Sequence, residues 1–148
     1  MAQPAKSPSC DYQLRPVARA DREYLWQLTQ DSYRDHIDNL WGWDDAWQRE
    51  HFVTRLEDTS SAHHIIEVDS RPVGYLELRH DEICIQINNI EITPARQGQG
   101  LGAKLIQDLK KQALFEGKSV FLQVFKINTR AAAFYVQMGF VTEGSNET

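Results

Sequence analysis

The sequence predicts a mixed α+β fold, a single domain around one sheet, on three observations. Short runs alternating apolar and polar residues lie mid-chain, between segments whose apolar residues recur every three or four positions. One strand feeds a glycine loop and a helix and is followed by another strand, which requires a parallel crossover beside an otherwise antiparallel meander. The length, 148 residues, suits one core and lets the chain bury roughly two thirds of its unfolded surface.

The elements follow in order. After a ten-residue segment taken as a flexible tail (1–10), "DYQLRPVARA" reads as a first strand ending near Pro16. Asp21 offers a helix N-cap, and Tyr24, Leu25, Leu28 and Tyr33 follow at helical spacing. "HIDNLWGWDD" interrupts this helix, and "DDAWQREHFVTRLED" forms a second, with Trp47, Phe52 and Leu56 on one face. "HHIIEV", "DSRPVG" and "YLELRH" read as strand, tight turn and strand. "ICIQINNIEI" completes a three-stranded meander with Ile83, Ile85 and Ile87 in alternation. Ile90 and Ile92 then take the opposite parity, which places a bulge near Asn88 and Asn89. From Gly100 a helical stripe runs through Leu101, Leu105, Ile106, Leu109 and Ala113 to a C-terminal cap at Gly117. "SVFLQVF" is an apolar strand, and "NTRAAAFYVQMGF" a shorter helix capped by Asn128 or Thr129 and ended by Gly139.

Composition narrows the function. Apolar content of 41% and charged content of 25% exclude a largely disordered chain. Sixteen basic against 21 acidic side chains leave a formal charge of −5, too acidic for a nucleic-acid phosphate backbone as the main partner. The two cysteines, Cys10 and Cys84, form no zinc-type pair, so neither a metal nor a disulfide framework is expected. "MAQPAKSPSC" lacks the apolar segment of a signal peptide, and no stretch approaches about 18 apolar residues; a reduced, cytoplasmic protein without membrane association is the expectation.

The glycine loop carries the chemistry. A strand that opens through glycines into a helix leaves free N–H groups at the helix's positive end, an anion site. Gly98, Gly100 and Gly102 give G-x-G-x-G, which fits neither the dinucleotide fingerprint nor the phosphate loop ending in Gly-Lys-Ser/Thr. What fits is Gln97-x-x-Gly100-x-Gly102 after Ile90-x-Ile92-x-Pro94, together with Asn128, Ala131, Phe134, Tyr135, Gly139 and Phe140 in "NTRAAAFYVQMGF". In these two motifs the sequence resembles the GNAT family of acetyl-CoA-dependent N-acetyltransferases, and the resemblance extends from about Tyr12 to Phe140.

The resemblance implies a mostly antiparallel sheet splayed in the middle, with helices on both faces, in a domain spanning 11–148. Acetyl-CoA is then the co-substrate. Its diphosphate would meet Gln97, Gly98, Gln99, Gly100, Leu101 and Gly102, and its pantetheine arm would lie in the splay against the backbone of Ile90 and Ile92 and the side chain of Asn128. Tyr135 matches the family's tyrosine near the sulfur, a general acid for the leaving thiolate; an aromatic on a buried helix face is its simpler role. Many members carry a glutamate on the bulged strand where Asn88 stands, and an amide takes no proton. Glu91 is the first substitute as base, with Glu77 and His80 the others.

For the acceptor, family pockets are walled by the first two helices and their connection. Here that region holds Asp38 and Asp44 with Trp41 and Trp43, carboxylates beside aromatic faces that suit a cationic amine: a polyamine-like molecule, an aminoglycoside-like sugar or a peptide amine. Capping aspartates and core tryptophans remain the alternative. Only "VTEGSNET" follows Phe140, and an open sheet edge there would suit a homodimer. The competing function is a catalytically idle acyl-CoA-binding module, prompted by Asn88.

Overall fold

The computed structural model describes residues 11–40, 42, 44–123 and 129–141, and of 32–40 and 129 the backbone alone. Its strands are β1 (Gln13–Pro16), β2 (Ala62–Val68), β3 (Arg71–His80), β4 (Cys84–Ile92) and β5 (Ser119–Leu122), and its helices α1 (Arg22–Leu40), α2 (Asp45–Glu57), α3 (Leu101–Glu116) and α4 (Thr129–Gln137). The strands form one sheet in the order β1-β2-β3-β4-β5. The first three pairings are antiparallel, and β4 with β5 is parallel, the crossover being made by α3. The predicted α+β class and mixed sheet are therefore observed.

Local chemistry explains where elements begin and end. The helix expected to break at His36 continues to Leu40, because 22–40 holds neither glycine nor proline; Gly42, at φ +81°, sits just beyond its end. Asp21 does not cap that helix forward. It closes a short 3-10 turn, accepts the Ala18 N–H at 2.7 Å and two N–H groups of Arg15 at 2.8 Å each, and the Arg15 guanidinium holds its carboxyl below the usual range. The β2–β3 turn is Asp69 and Ser70, with φ of +53° and +64°, and β3 absorbs the Pro72 and Gly74 assigned to the turn. Ile83 lies outside β4 and is 75% exposed. The described part of the last strand ends at Leu122.

The bulge falls where the isoleucine parity predicts it. Glu77 pairs with Asn89 and Leu78 with Ile87, so Asn88 is the extra residue. Ile85, Ile87, Ile90 and Ile92 consequently all face one layer, packed with Leu101, Leu105, Ile106 and Leu109 of α3 and Phe134 and Tyr135 of α4. Leu25, Trp26 and Leu28 of α1 and Phe52 of α2 cover the other face over Ile65 and Tyr75. Trp47, expected on the packed face of α2, is 57% exposed and stacks on His51 at 5.1 Å. Among the described residues no helix is long and apolar enough to cross a membrane.

Candidate active site

The β4–β5 ladder ends at Ile87 and Leu122, while β4 runs on to Ile92. From the bulge onward, then, β4 has one flank without a ladder partner among the described residues. The Thr93 N–H donates to Val73 O at 2.8 Å, and Glu91 O lies against Gly74 so closely that a Cβ there would meet it at 2.5 Å. Backbone groups alternate along a strand, so those of Ile90 and Ile92 turn toward the open flank.

The chain then enters the glycine loop. A 3-10 turn, Pro94–Arg96, leads to Gln97, whose N–H is used by Pro94 O. Gln97 Nε2 donates to Ile92 O at 2.9 Å and Gln99 Nε2 to Ala95 O at 3.2 Å, so both glutamines brace the loop with their amides. Gly98 and Gly100 have φ of +74° and +86°, a region an L side chain enters at a cost of roughly 1–2 kcal/mol. Apart from their chain neighbours, no atom of the described residues lies within 4 Å of where a Cβ would stand on either. Helical bonding starts with Lys104 N–H to Gly100 O at 3.0 Å. The N–H groups of Gly98, Gln99, Gly100, Leu101, Gly102 and Ala103, at the positive end of α3, thus have no hydrogen-bond partner among the described residues.

α4 stands beside this loop. Phe134 Cζ is 3.9 Å from the Cβ position of Gly102, and Tyr135 is set edge-on to Phe134 and Phe140 with centroids at 5.2 and 5.8 Å. Burial raises the Tyr135 phenol. Its hydroxyl makes no hydrogen bond among the described residues. Lys110 Nζ fixes the far end of α4, donating to Met138 O at 2.6 Å. Asn128 lies outside the described residues.

Together, a two-motif loop, an opened strand pair and an α4 tyrosine beside the loop match one family. A family model of the GNAT acetyltransferases spans residues 22–140. The chain belongs to the GNAT family. Solved structures of GNAT proteins share its fold. The Bacillus subtilis protein YycN superposes with a TM-score of 0.72 at 20% identity, covering 93% of this chain and 97% of its own. The spermidine/spermine N-acetyltransferase SpeG of Vibrio cholerae, in complex with manganese, gives 0.62 at 22%, over 93% and 82%. The aminoglycoside N-acetyltransferase AAC(6')-Iy, in complex with CoA, gives 0.63 at 16%, over 93% of each chain. The GNAT family uses acetyl-CoA, and the donors and clearance of this loop fit its diphosphate.

In this GNAT chain Tyr135, considered for the acid, and Glu91, considered first for the base, lie on different faces of the sheet. Tyr135 packs on the α3 layer, whereas Glu91 is the cross-strand partner of Tyr75 and points under α1 and α2. Glu91 is 3% exposed, and among the described residues neither carboxylate oxygen has a hydrogen-bond partner. Burial therefore pushes its carboxyl up to about 7, against the pull of the Arg55 guanidinium and of the Thr29 hydroxyl, which faces it without completing a bond; Glu77 adds to the rise. Glu77 lies on the same face, accepting from Tyr75 Oη at 3.1 Å and from Asn88 Nδ2 at 3.3 Å, with Arg55 Nε 3.8 Å away. Asn88 Nδ2 also reaches Ser61 Oγ at 2.9 Å. His80 ends β3 exposed, on the parity of Leu76 and Leu78, away from this cluster.

On the acceptor side, Asp44 is exposed and caps α2, accepting the Trp47 N–H at 3.0 Å. Asp38 lies on the α1 backbone, and its side chain, like Trp41 and Trp43, is outside the described residues. His63, Tyr75, Arg55 and Ser61 are the polar residues around Glu77 that sequence alone does not single out. The signal available was Tyr75 and Glu77 sharing a parity in one strand.

Proposed function

We propose that this protein transfers an acetyl group from acetyl-CoA to a primary amine of a small cationic molecule or peptide, by direct attack in a ternary complex. The observation that carries this reading is the run of six partnerless N–H groups from Gly98 to Ala103, opening beside the unladdered flank of β4. Those donors take the diphosphate, Ile90 and Ile92 present backbone amides to the pantetheine arm, and Asn128 hydrogen-bonds that arm. The co-substrate supplies the activated thioester.

Tyr135 protonates the departing thiolate, and burial, which raises its phenol, keeps it in the protonated form that can donate. Glu91, poised near neutrality, takes a proton from the incoming ammonium directly or through one water. An amine with a pKa of about 10.4 is almost wholly charged at neutral pH, so this step raises the reactive fraction. The two groups lie on opposite faces of the sheet. Asp38, Asp44, Trp41 and Trp43 hold the cationic acceptor by charge and ring faces. The site operates in the cytoplasm, with a second copy covering the β5 edge.

Thermal unfolding with acetyl-CoA, NAD and ATP tests the binding half. Acetyl-CoA at a hundredfold its Kd should add about 2.7 kcal/mol and raise the midpoint by several degrees; an unchanged midpoint sinks the reading. Thiol release with polyamine, aminoglycoside and peptide amines tests the chemistry. Tyr135→Phe should lower kcat by about a hundredfold and leave acetyl-CoA binding intact. Normal binding with no amine-dependent release would favour the idle module instead.

A further inference from the structure

We propose that His63, Tyr75 and Glu77 form a proton relay that carries the amine's proton from the acetyl-transfer site to solvent. This rests on the acetyltransferase reading above. His63 Nε2 lies 2.8 Å from the backbone carbonyl of Asp58, and a carbonyl only accepts, so Nε2 bears a hydrogen. His63 Nδ1 lies 2.7 Å from Tyr75 Oη, which in turn lies 3.1 Å from Glu77 Oε1.

Counting protons along this chain gives the inference. A neutral imidazole with hydrogen on Nε2 needs the Tyr75 proton at Nδ1, and an ionised Glu77 needs the same proton. One hydroxyl cannot serve both, so that state leaves one short contact without a hydrogen. A single added proton repairs it in either of two ways. Placed on His63, Nδ1–H donates to Tyr75 Oη and Tyr75 O–H to Glu77. Placed on Glu77, Oε1–H donates to Tyr75 Oη and Tyr75 O–H to Nδ1. The two arrangements differ only in hydrogen positions, so a proton entering at one end emerges at the other without movement of heavy atoms. Burial, with the adjacent Glu77 charge, raises the Tyr75 phenol despite the nearby Arg55, so it passes the proton on as a neutral hydroxyl.

The ends lie where the reaction needs them. His63 is half-buried, at the solvent side of β2 beside the end of α2. Glu77 is 5% exposed and touches the bulge through Asn88. Glu91 pairs with Tyr75 and is thus the diagonal neighbour of Glu77, with no direct hydrogen bond between the two carboxylates. Charged groups facing the chain are Arg55 from α2, Asp58 at its end, Glu91 from β4, and His64 and Arg79 nearby on β2 and β3.

The balance is complete. An ammonium and acetyl-CoA yield an amide, a thiol and one proton. The bond from nitrogen to the acetyl carbon forms, that from sulfur to the carbon breaks, and one amine proton ends on sulfur by way of Tyr135. The other is taken up by Glu91, crosses to Glu77 through a bridging water, and passes through Tyr75 to His63 and on to solvent.

Steady-state kinetics of the full chain in low-buffer and imidazole-buffered solution test this, with wild type, His63→Ala and Tyr75→Phe. Both variants should lose about a hundredfold in kcat at unchanged KM for acetyl-CoA. Imidazole should restore His63→Ala, whose break is at the solvent end, and leave Tyr75→Phe slow, whose break is internal. Unchanged kcat in both, or a well-folded His63→Ala that imidazole does not rescue, overturns the relay. Nitrogen-15 spectra of the free protein separate the two claims. A hydrogen-bonded Nδ1 proton on His63 that disappears in Tyr75→Phe, in a wild type that acetylates no amine, leaves the chain standing and overturns the acetyltransferase reading alone; a spectrum identical in both proteins overturns the chain.

Discussion

The two faces of this sheet are built from the same strands yet differ in kind. Toward α3 the packed residues are aliphatic almost throughout, with Ile66, Leu76, Ile85, Leu105 and Ile106 all at 0% exposure. Toward α1 and α2, Ile65 and Tyr75 share the interior with Glu77, Glu91, Thr29, Ser61 and Arg55. Burial of a charge costs free energy that aliphatic packing has to offset. In the proposed reaction, one face holds the fold and the glycine loop in place while the other moves protons.

Leu105→Ala probes the first face most strongly. Leu105 is 0% exposed within the α3 layer, where truncation costs about 2–5 kcal/mol. A midpoint fall of roughly 10 °C is expected for a chain of this size. Calorimetry that finds a loss below that of an equally buried position under α1, such as Leu25→Ala, would break the contrast.

Glu91→Gln probes the second face, with the opposite sign. The folded carboxyl titrates at about 7 against 4.5 when solvated, so the folded state binds the proton more tightly. Its stabilising contribution is full below pH 4.5 and is lost as pH rises through 7, amounting to about 3 kcal/mol above that range. A glutamine mimics the protonated form. The variant should therefore match wild type near pH 4 and exceed it by about 3 kcal/mol at pH 8, while acetyl transfer falls. Urea unfolding at the two pH values checks this, and an equal difference at both would show that Glu91 does not titrate on folding.

What the sequence made legible was set by local chemistry. The left-handed glycines fix both ends of α3, and a parity slip in one strand locates the bulge to the residue, because neither depends on distant partners. What it left hidden depends on which strands and helices meet. The turn at Asp69 and Ser70 rests on two non-glycine residues at positive φ, which the Pro and Gly nearby outweigh on paper. Trp26 and Trp47 sit at equally regular helical positions, and packing alone buries the first and exposes the second. The His63, Tyr75 and Glu77 chain needs the β2–β3 register, since His63 pairs with Glu77 across strands. The acceptor aspartate that can be placed, Asp44, serves as a cap, which composition could not separate from a ligand role.

Gly100→Ala gives the smallest effect and sharpens the comparison at its functional edge. With φ at +86°, an alanine costs roughly 1–2 kcal/mol of backbone strain, a midpoint change of only a few degrees. Because, chain neighbours apart, no atom of the described residues lies within 4 Å of that Cβ, packing adds nothing to the cost. The same methyl would stand within the loop whose N–H groups are proposed to hold the diphosphate, so the acetyl-CoA-induced midpoint shift should shrink by more than the midpoint itself falls. A variant that loses stability but keeps the full ligand shift would place the diphosphate away from Gly100. In that event the α3 face would hold the fold without holding the co-substrate.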